Sequence, residues 1–553
     1  MHKVVEEVEE IAMNRCIINH MVWWVRWCLL LSVIVAGRVM AKRPNVIFII
    51  VDDSEFIEYG CYGGRTLTPH IDSLAQNGVL FTHGFTSSSV CTPTRYACLS
   101  GQYASRAQSL AQRDQQPDHM SRFVRWNTDM ESGGWNIASV LQKSGYTTGI
   151  VGKWHVGHGE HYWTHRREFK QPQRARKEPI PLDDVETNAY LRKTYDLIVT
   201  DMKQNFGFDY VASYYAGNLT GWPKAYDNFT KHNQDWVTAG ALRFIDENAN
   251  QEKPFFLYLS TTLQHGPPPE ASIEADRRIT MAGLLETPPK VQPGFQSLYQ
   301  RCDRAGLPRD RAPYLWLDDG VGAVLERLRD HNIERNTIVF FFSDQQSWGK
   351  GSCFDGGVNT PYLMCWPVGI PAGQVCEELV SNIDFAPTIF DICQVTPPAD
   401  MHLDGQSFLP LVQGKQTQWR DAVFFELGNM RAVRTKHFKY IAIRRYTDEQ
   451  WAQLPEAIQQ SQEFRRRYFR LSQTWAASSA EHLQRSAIAK WRHDHAKYAE
   501  DSDQLYDLRV DPSENVNLVD NQEYARELLS MKLLLKDWLT TMPGPYGEFK
   551  KTF

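Results

Sequence analysis

Four apolar runs in this 553-residue chain each lead into side chains able to hold a cation, move a proton or carry charge. Val46 to Val51 (VIFIIV) runs directly into Asp52 and Asp53, and Thr147 to Val151 into Lys153 and His155. Phe255 to Leu259 heads towards His265, and Ile338 to Phe342 ends at Ser343 and Asp344. Adjacent carboxylates suit a hard divalent ion, which prefers oxygen ligands. Histidines suit proton transfer, and lysines neutralise negative charge that builds in a transition state. Each taken singly has a plainer explanation, since an Asp after a strand is often only a helix cap. Four strand ends of the same character predict one shared polar site, because open α/β sheets bind ligands outside the carboxyl ends of their strands.

A further element is SSSVCTPTRYACLSG, Ser87 to Gly101. Pro93 suits the first turn of a helix, which places Cys91 at the helix N-terminus, with Arg95 one turn on and facing the same way. Free N–H groups there favour negative charge. On its own, Cys91 reads equally as a thiol of lowered pKa or as a buried structural cysteine.

The elements that must position these groups follow from patterning. With 42% hydrophobic and 23% charged residues the chain is an ordinary globular protein, which excludes disordered, collagenous and coiled-coil classes. A formal charge of −5 excludes the basic footprint of a general nucleic-acid binder. Helix-period spacing at Ile71–Ala75, Ile137–Leu141 and Val321–Leu328, between the apolar runs, predicts an α/β fold with a large, mostly parallel sheet between helices. Near Lys415 the character changes. Val423–Leu427, Ala432–Arg434 and Phe438–Ile443 read as antiparallel strands, followed by a polar helical stretch from Asp448 to about Ala499 and a last helix over Glu523–Leu539. Residues 42–415 therefore form one expected domain and residues 416–553 a smaller α+β domain.

Two stretches, 155–178 and 266–313, read as surface excursions near the crevice. In the first, His155, His158, His161 and His165 fit a substrate-facing loop better than a second metal site. The basic run Arg166, Arg167, Lys170, Arg174, Arg176 and Lys177 reads as a solvated loop, with polyanion binding as the sharper alternative. At the N-terminus, Trp27–Val35 (WCLLLSVIV) follows Arg26 and precedes Val39-Met40-Ala41, the pattern of a secretory signal peptide over residues 1–41. The alternative is an uncleaved anchor, although the run is short for a spanning helix. An exported chain permits pairing among Cys353, Cys365, Cys376 and Cys393. Asn218-Leu219-Thr220 and Asn228-Phe229-Thr230 are glycosylation sequons in a host that uses them.

The spacing Cys91, Pro93, Arg95, then Leu99-Ser100-Gly101, resembles the signature of the formylglycine-dependent (type I) sulfatases of the alkaline-phosphatase-like superfamily. Gly145 to His155 (GYTTGIVGKWH) resembles the second signature of that family. Weaker blocks include NVIFIIVDD, LTPHIDSLAQNGVLFTHGF, VSNIDFAPTIFDICQV, LDGQSFLPLVQG, VRTKHFKYI and LYDLRVDPSENVNLV, so the resemblance spans nearly all of the chain after residue 42.

The resemblance implies a sulfuric ester hydrolase in which Cys91 is oxidised to formylglycine (3-oxoalanine) by a formylglycine-generating enzyme. One hydroxyl of the hydrated aldehyde attacks sulfur and expels the alcohol; the second allows the resulting hemiacetal to eliminate sulfate. It implies one Ca2+ held by Asp52, Asp53, residue 91, Asp344 and Gln345, with Arg95 steadying that network. Lys153, Lys350 and His265 take the sulfate-binding positions, His155 the base that drives elimination, and His265 also the donor to the leaving oxygen. The chain departs from the family at Gln345-Gln346, where Asn or His and then Gly are usual, and the added methylene shifts the carbonyl oxygen. The substrate class is a sulfated small molecule or glycan. Export, the basic loop and 17 Trp favour a carbohydrate. The competing readings are a phosphate ester hydrolase on the same scaffold and a non-catalytic binder of sulfated glycans.

Overall fold

The run that leads into Asp52 is strand β1 (Asn45–Val51) of an eight-stranded sheet. The other strands are β2 (Val79–Phe81), β3 (Thr147–Lys153), β4 (Tyr210–Tyr215), β5 (Phe255–Ser260), β6 (Thr337–Ser343), β7 (Tyr362–Cys365) and β8 (Gln374–Cys376). Their order across the sheet is β8-β2-β7-β6-β1-β5-β3-β4. From β6 to β4 the neighbours are parallel; β7 is antiparallel to both β6 and β2. The structure is a computed structural model and describes residues 42–109, 122–124, 126–157, 177–416, 418–460, 491–492, 494–495 and 502–547. Contacts group residues 44–553 as one compact unit.

β1 shows why its sequence is continuously apolar. Val46, Phe48 and Ile50 enter one core and Ile47, Ile49 and Val51 the other, as a strand covered on both faces requires. On the first face Phe48 meets Phe340, Phe342 and Phe385 at ring separations of 4.8 to 5.8 Å. Helices α1 (Pro69–Gln76), α2 (Cys91–Ser100), α3 (Ile137–Lys143), α4 (Val185–Asn205), α5 (Gln234–Asn248), α6 (Phe295–Ala305), α7 (Ala312–Asp330) and α8 (Phe385–Ile392) accompany the sheet. The excursion expected over 266–313 is partly ordered: α6 turns Leu298 and Cys302 inward, one turn apart, a stripe too narrow to stand out among the prolines.

Beyond residue 415, β9 (Val423–Leu427), β10 (Met430–Arg434), β11 (Phe438–Ile443) and β12 (Asp503–Asp507) form an antiparallel sheet. Val433, Tyr440, Ala442 and Leu505 pack against helix α9 (Ala525–Thr540). Phe425, Ala432 and Ile441 share a core with Phe85, Val90 and Phe354, so this sheet backs the segment that delivers Cys91. The eight cysteines after residue 41 are all unpaired, which corrects the pairing considered for Cys353, Cys365, Cys376 and Cys393. Cys353, Cys365 and Cys393 are buried in three separate cores. Among the described residues no helix is long and apolar enough to cross a membrane. Residues 1–41, His158, His161, His165 and the basic run from Arg166 to Arg176 lie outside the described residues.

Candidate functional site

Parallel β1, β3, β5 and β6 open their carboxyl ends on one side, and their polar residues meet there with the start of α2. Asp53 and His155 adopt left-handed backbone conformations, φ 56° and 58°. Such strain in non-glycine residues clusters at functional sites. Here it lets Asp53 turn towards the same point as its neighbour Asp52, which a pleated strand would forbid. Ligand atoms of Asp52, Asp53, Cys91 and Asp344 lie within 4.8 Å of one another.

Cys91, first residue of α2, places its Sγ 3.5 Å from Asp52 Oδ1, and Gln345 Nε2 donates to that sulfur at 3.0 Å. Gln345 Nε2 also donates to Asp53 Oδ1. Lys350 Nζ lies 2.8 and 2.7 Å from the two Asp53 oxygens and 3.8 Å from Cys91 Sγ. Lys153 Nζ bridges Asp52 Oδ2 and Asn218 Oδ1, the latter at 2.6 Å. Arg95 Nε and Nη2 grip Asp344 Oδ2 at 3.0 and 2.9 Å, with both side chains at 0% exposure. The same guanidinium donates to Ser260 Oγ at 2.5 Å and to the Lys153 carbonyl at 3.3 Å. His265 Nδ1 donates to the Gly266 carbonyl at 2.9 Å, leaving Nε2 3.7 Å from Asp53 Oδ2. His155 is half-buried, with its Nδ1 enclosed and unpartnered.

Burial alone would raise the Asp52 carboxyl, but Lys153, His265, Arg95 and Lys350 outweigh it and hold Asp52 well below the usual carboxylate range. Asp53 is likewise held down against burial, mainly by Lys350. Asp344 goes the other way, pushed up to about 7 by burial and by the charge of Asp52. Three carboxylates this close leave one of them hard to ionise until more positive charge arrives. Burial and Asp52 push the Cys91 thiol up to about 12, so the reading of Cys91 as a thiol of lowered pKa is set aside. His155 is pulled well below its ordinary value by burial and Lys153, and His265 is lowered by burial and Lys350, which keeps both imidazoles neutral.

The donor set fits a hard cation. Three carboxylates converge, and Gln345 Oε1 is a buried acceptor with no partner. The longer Gln345 side chain thus brings its amide into the cluster. A second grouping, His70, Asp318 and Asp319, has other duties. Asp318 accepts the His70 and Ile71 backbone N–H groups at the start of α1, and Asp319 pairs with Arg301.

Several site residues escape sequence reasoning. Asn218 follows β4, and its commitment to Lys153 puts the first sequon inside the site. Ser260, at the end of β5, orients Arg95. Asn382 accepts from Ser87 N at 2.7 Å and donates to the Thr94 carbonyl at 2.9 Å, clamping the segment around Cys91. The loop carrying Gln345 and Lys350 is held from both sides. Glu55 Oε1 accepts from Ser347 N at 2.6 Å, and Arg492 donates to the Ser347 and Trp348 carbonyls at 2.5 and 3.1 Å. Of these, Asn382 lies in the block VSNIDFAPTIFDICQV and Asn218 in a sequon, but neither pattern points to a role in the site.

Residues 44–395 match the model of the Sulfatase family, and residues 344–474 match that of the N-sulphoglucosamine sulphohydrolase C-terminal region. The chain is 26% identical over 438 residues to the N-acetylgalactosamine-6-sulfatase of Canis lupus familiaris, covering 75% of each. It is also 26% identical over 523 residues to an ulvan-active sulfatase of Formosa agariphila, covering 91% of this chain and 76% of the relative. Among solved structures, a 6S-sulfatase of Bacteroides thetaiotaomicron superposes with a TM-score of 0.57 at 19% identity, covering 90% of this chain and 100% of the other.

Proposed function

Because the chain belongs to the sulfatase family and is a sulfuric ester hydrolase, we propose that it desulfates a sulfated carbohydrate through a formylglycine made from Cys91 and a calcium ion. The observation that carries this reading is the convergence of Cys91 with three carboxylates, three cationic side chains and two neutral histidines at the strand ends. The sugar assignment draws on the relatives named for N-acetylgalactosamine and ulvan sulfates. Export and maturation by a formylglycine-generating enzyme belong to the same proposal. So does the division into a catalytic domain over 42–415 and a smaller domain over 416–553, which the separate four-stranded sheet supports.

Asp52, Asp53, Asp344 and the Gln345 carbonyl, with residue 91, would hold the cation. When bound, the cation lowers the pKa of a hydroxyl on residue 91 and neutralises sulfate charge. Once formed and hydrated, the aldehyde supplies the two hydroxyls that attack and elimination require. Lys153 and Lys350, each within reach of Asp52 or Asp53 and close to residue 91, neutralise charge on the sulfate oxygens. Arg95 fixes Asp344 through a guanidinium that Ser260 and the Lys153 carbonyl already orient. His155, neutral and unpartnered at Nδ1, takes the proton during elimination. His265 presents Nε2 to the sulfate and leaving oxygen. The phosphate-ester reading is separated by comparing kcat/KM on a matched aryl sulfate and aryl phosphate, with the sulfate expected to dominate. The mass of the proteolytic peptide containing Cys91 after expression with the maturation enzyme is expected to show the aldehyde. An unmodified thiol with no turnover would favour the binding protein.

A further inference from the structure

His232 is 2% exposed and hydrogen-bonds to none of the groups gathered around Cys91. It stands two residues before α5, on backbone that is held firmly. Its N–H donates to Ser272 Oγ at 3.0 Å. The next residue, Asn233, caps α5 and donates to the Arg277 and Ile279 carbonyls at 2.6 and 3.0 Å. Burial lowers the imidazole pKa to about 4, so the ring is neutral at pH 7. The Pro267 carbonyl, 2.9 Å from Nε2, can only accept, so Nε2 carries the proton. Nδ1 then accepts from the Thr262 hydroxyl at 2.7 Å. Both nitrogens are used.

Those two partners are the ends of one turn. Residues 262–267 follow β5 and carry His265, whose Nε2 lies 3.7 Å from Asp53 Oδ2 and whose side chain is 14% exposed. Towards the cation ligands the turn is stitched to Asp52. The Asp52 N–H donates to the Leu263 carbonyl at 2.8 Å, and the Gln264 N–H donates to the Asp52 carbonyl. On the other side the start of α5 holds it. Thr261 Oγ1 donates to Gln234 Oε1 at 2.7 Å, and His232 spans from Thr262 to Pro267. A buried imidazole is a poor choice for packing alone, since an apolar side chain of similar size would fill the space without needing two partners. A fully satisfied polar group instead fixes one arrangement of the elements it joins.

We propose that His232 is a positioning residue, a strut across residues 262–267 that sets where His265 stands over the cation ligands and so its delivery of a proton to the leaving oxygen. The catalytic part rests on His265 being that donor. Its consequence is selective. A misplaced acid matters most when the departing oxygen is strongly basic, because a weakly basic phenolate leaves without a proton.

The test uses the full-length matured protein with His232→Leu, which keeps the volume and removes both nitrogens, and Thr262→Val, which removes one partner with little change of shape. Initial rates are measured on 4-nitrophenyl sulfate and on 4-methoxyphenyl sulfate, the poorer leaving group. Each variant should lower kcat about thirtyfold on the methoxyphenyl ester and no more than about threefold on the nitrophenyl ester, within the share that a placed general acid supplies. A purely structural role would lower both alike, so equal losses, or none, would overturn the proposal. The double variant His232→Leu/His265→Ala should be no slower on the methoxyphenyl ester than His265→Ala alone, because one acts through the other. Losses that multiply would also overturn it. The arm independent of turnover is a crystal structure of His232→Leu or, should that chain not fold, of Thr262→Val. The separation of His265 Nε2 from Asp53 Oδ2 should change by about 1 Å, and an unmoved turn would refute the strut. A moved turn in a protein whose wild type hydrolyses neither ester would keep the strut and remove the sulfatase reading.

Discussion

Replacing Gly152 by alanine tests how tightly the sheet positions the reacting groups. Gly152 is the last residue before Lys153 and has φ +92°, a conformation that L side chains rarely adopt. A Cβ placed there would lie 1.7 Å from the Ser260 carbonyl oxygen on the neighbouring strand. Ordinary contact needs about 3.2 Å or more, so β3 and β5 would have to part by about 1.5 Å at their carboxyl ends. The blocking atom is backbone, which cannot swing aside. The left-handed conformation costs about 1 kcal/mol and overpacking about 1–3 kcal/mol more. With an unfolding entropy of about 2 cal/mol/K per residue, that is a fall in Tm of about 2–4 °C for a chain of this size. The catalytic loss should be larger. Ser260 orients Arg95, and Lys153 and His155 follow directly, so a shift on the order of 1 Å should lower kcat about a hundredfold. Gly149→Ala is the control: the atoms nearest its Cβ belong to the Phe244 ring, at 2.7 Å and beyond, on the core face away from the site, so it should lower Tm with little loss of kcat. The assay pairs thermal unfolding with initial rates on an aryl sulfate. A Gly152→Ala protein with native Tm and native kcat would refute the claim that strand spacing sets the site.

Cys91→Ala is expected to abolish turnover while leaving the circular dichroism spectrum and Tm near wild type, since only one small side chain at the cluster is lost; retained kcat would end the mechanism. Arg95→Met removes the partner of a fully buried carboxylate and should cost about 3–5 kcal/mol, read as a lower unfolding midpoint, with no activity left; unchanged stability would show that Asp344 finds another cation. His232 is buried between Thr262 and the Pro267 carbonyl, and burial lowers its pKa from 6.5 to about 4. Below pH 6.5 the unfolded chain takes a proton there that the folded chain refuses. Stability should therefore fall by about 3 kcal/mol as pH drops from 6.5 to about 4. His232→Gln should flatten that part of the Tm profile, and a profile that keeps its slope would assign the acid sensitivity elsewhere.

The strand ends were readable because apolar runs such as VIFIIV stop abruptly at ionisable residues, a signal that needs no partner to interpret. Strand β4, with Ser213 among its tyrosines, gives no such run, so Asn218 at its end reads from the sequence only as part of a sequon and not as a site residue. Short strands such as β2 and β8 are too brief to carry a period, and the prolines over 266–313 hid α6. The possible cysteine pairs failed for a spatial reason: three of those sulfurs are buried in three different cores. Gln345 stands out in the sequence only as a departure from the family pattern; in place its Nε2 reaches Asp53 and Cys91 while its carbonyl oxygen is buried without a partner. Arg492 arrives from almost 150 positions downstream of the loop it grips, a distance no local pattern reports.

That grip limits how this enzyme could be re-engineered. Splicing a foreign tail after residue 415 would preserve every motif residue yet exchange the hand that steadies Lys350, so a chimera would inherit its turnover number partly from the donor of the tail. Directed evolution of such hybrids should find compensating changes around Ser347 and Trp348 before it finds any in the motif residues themselves.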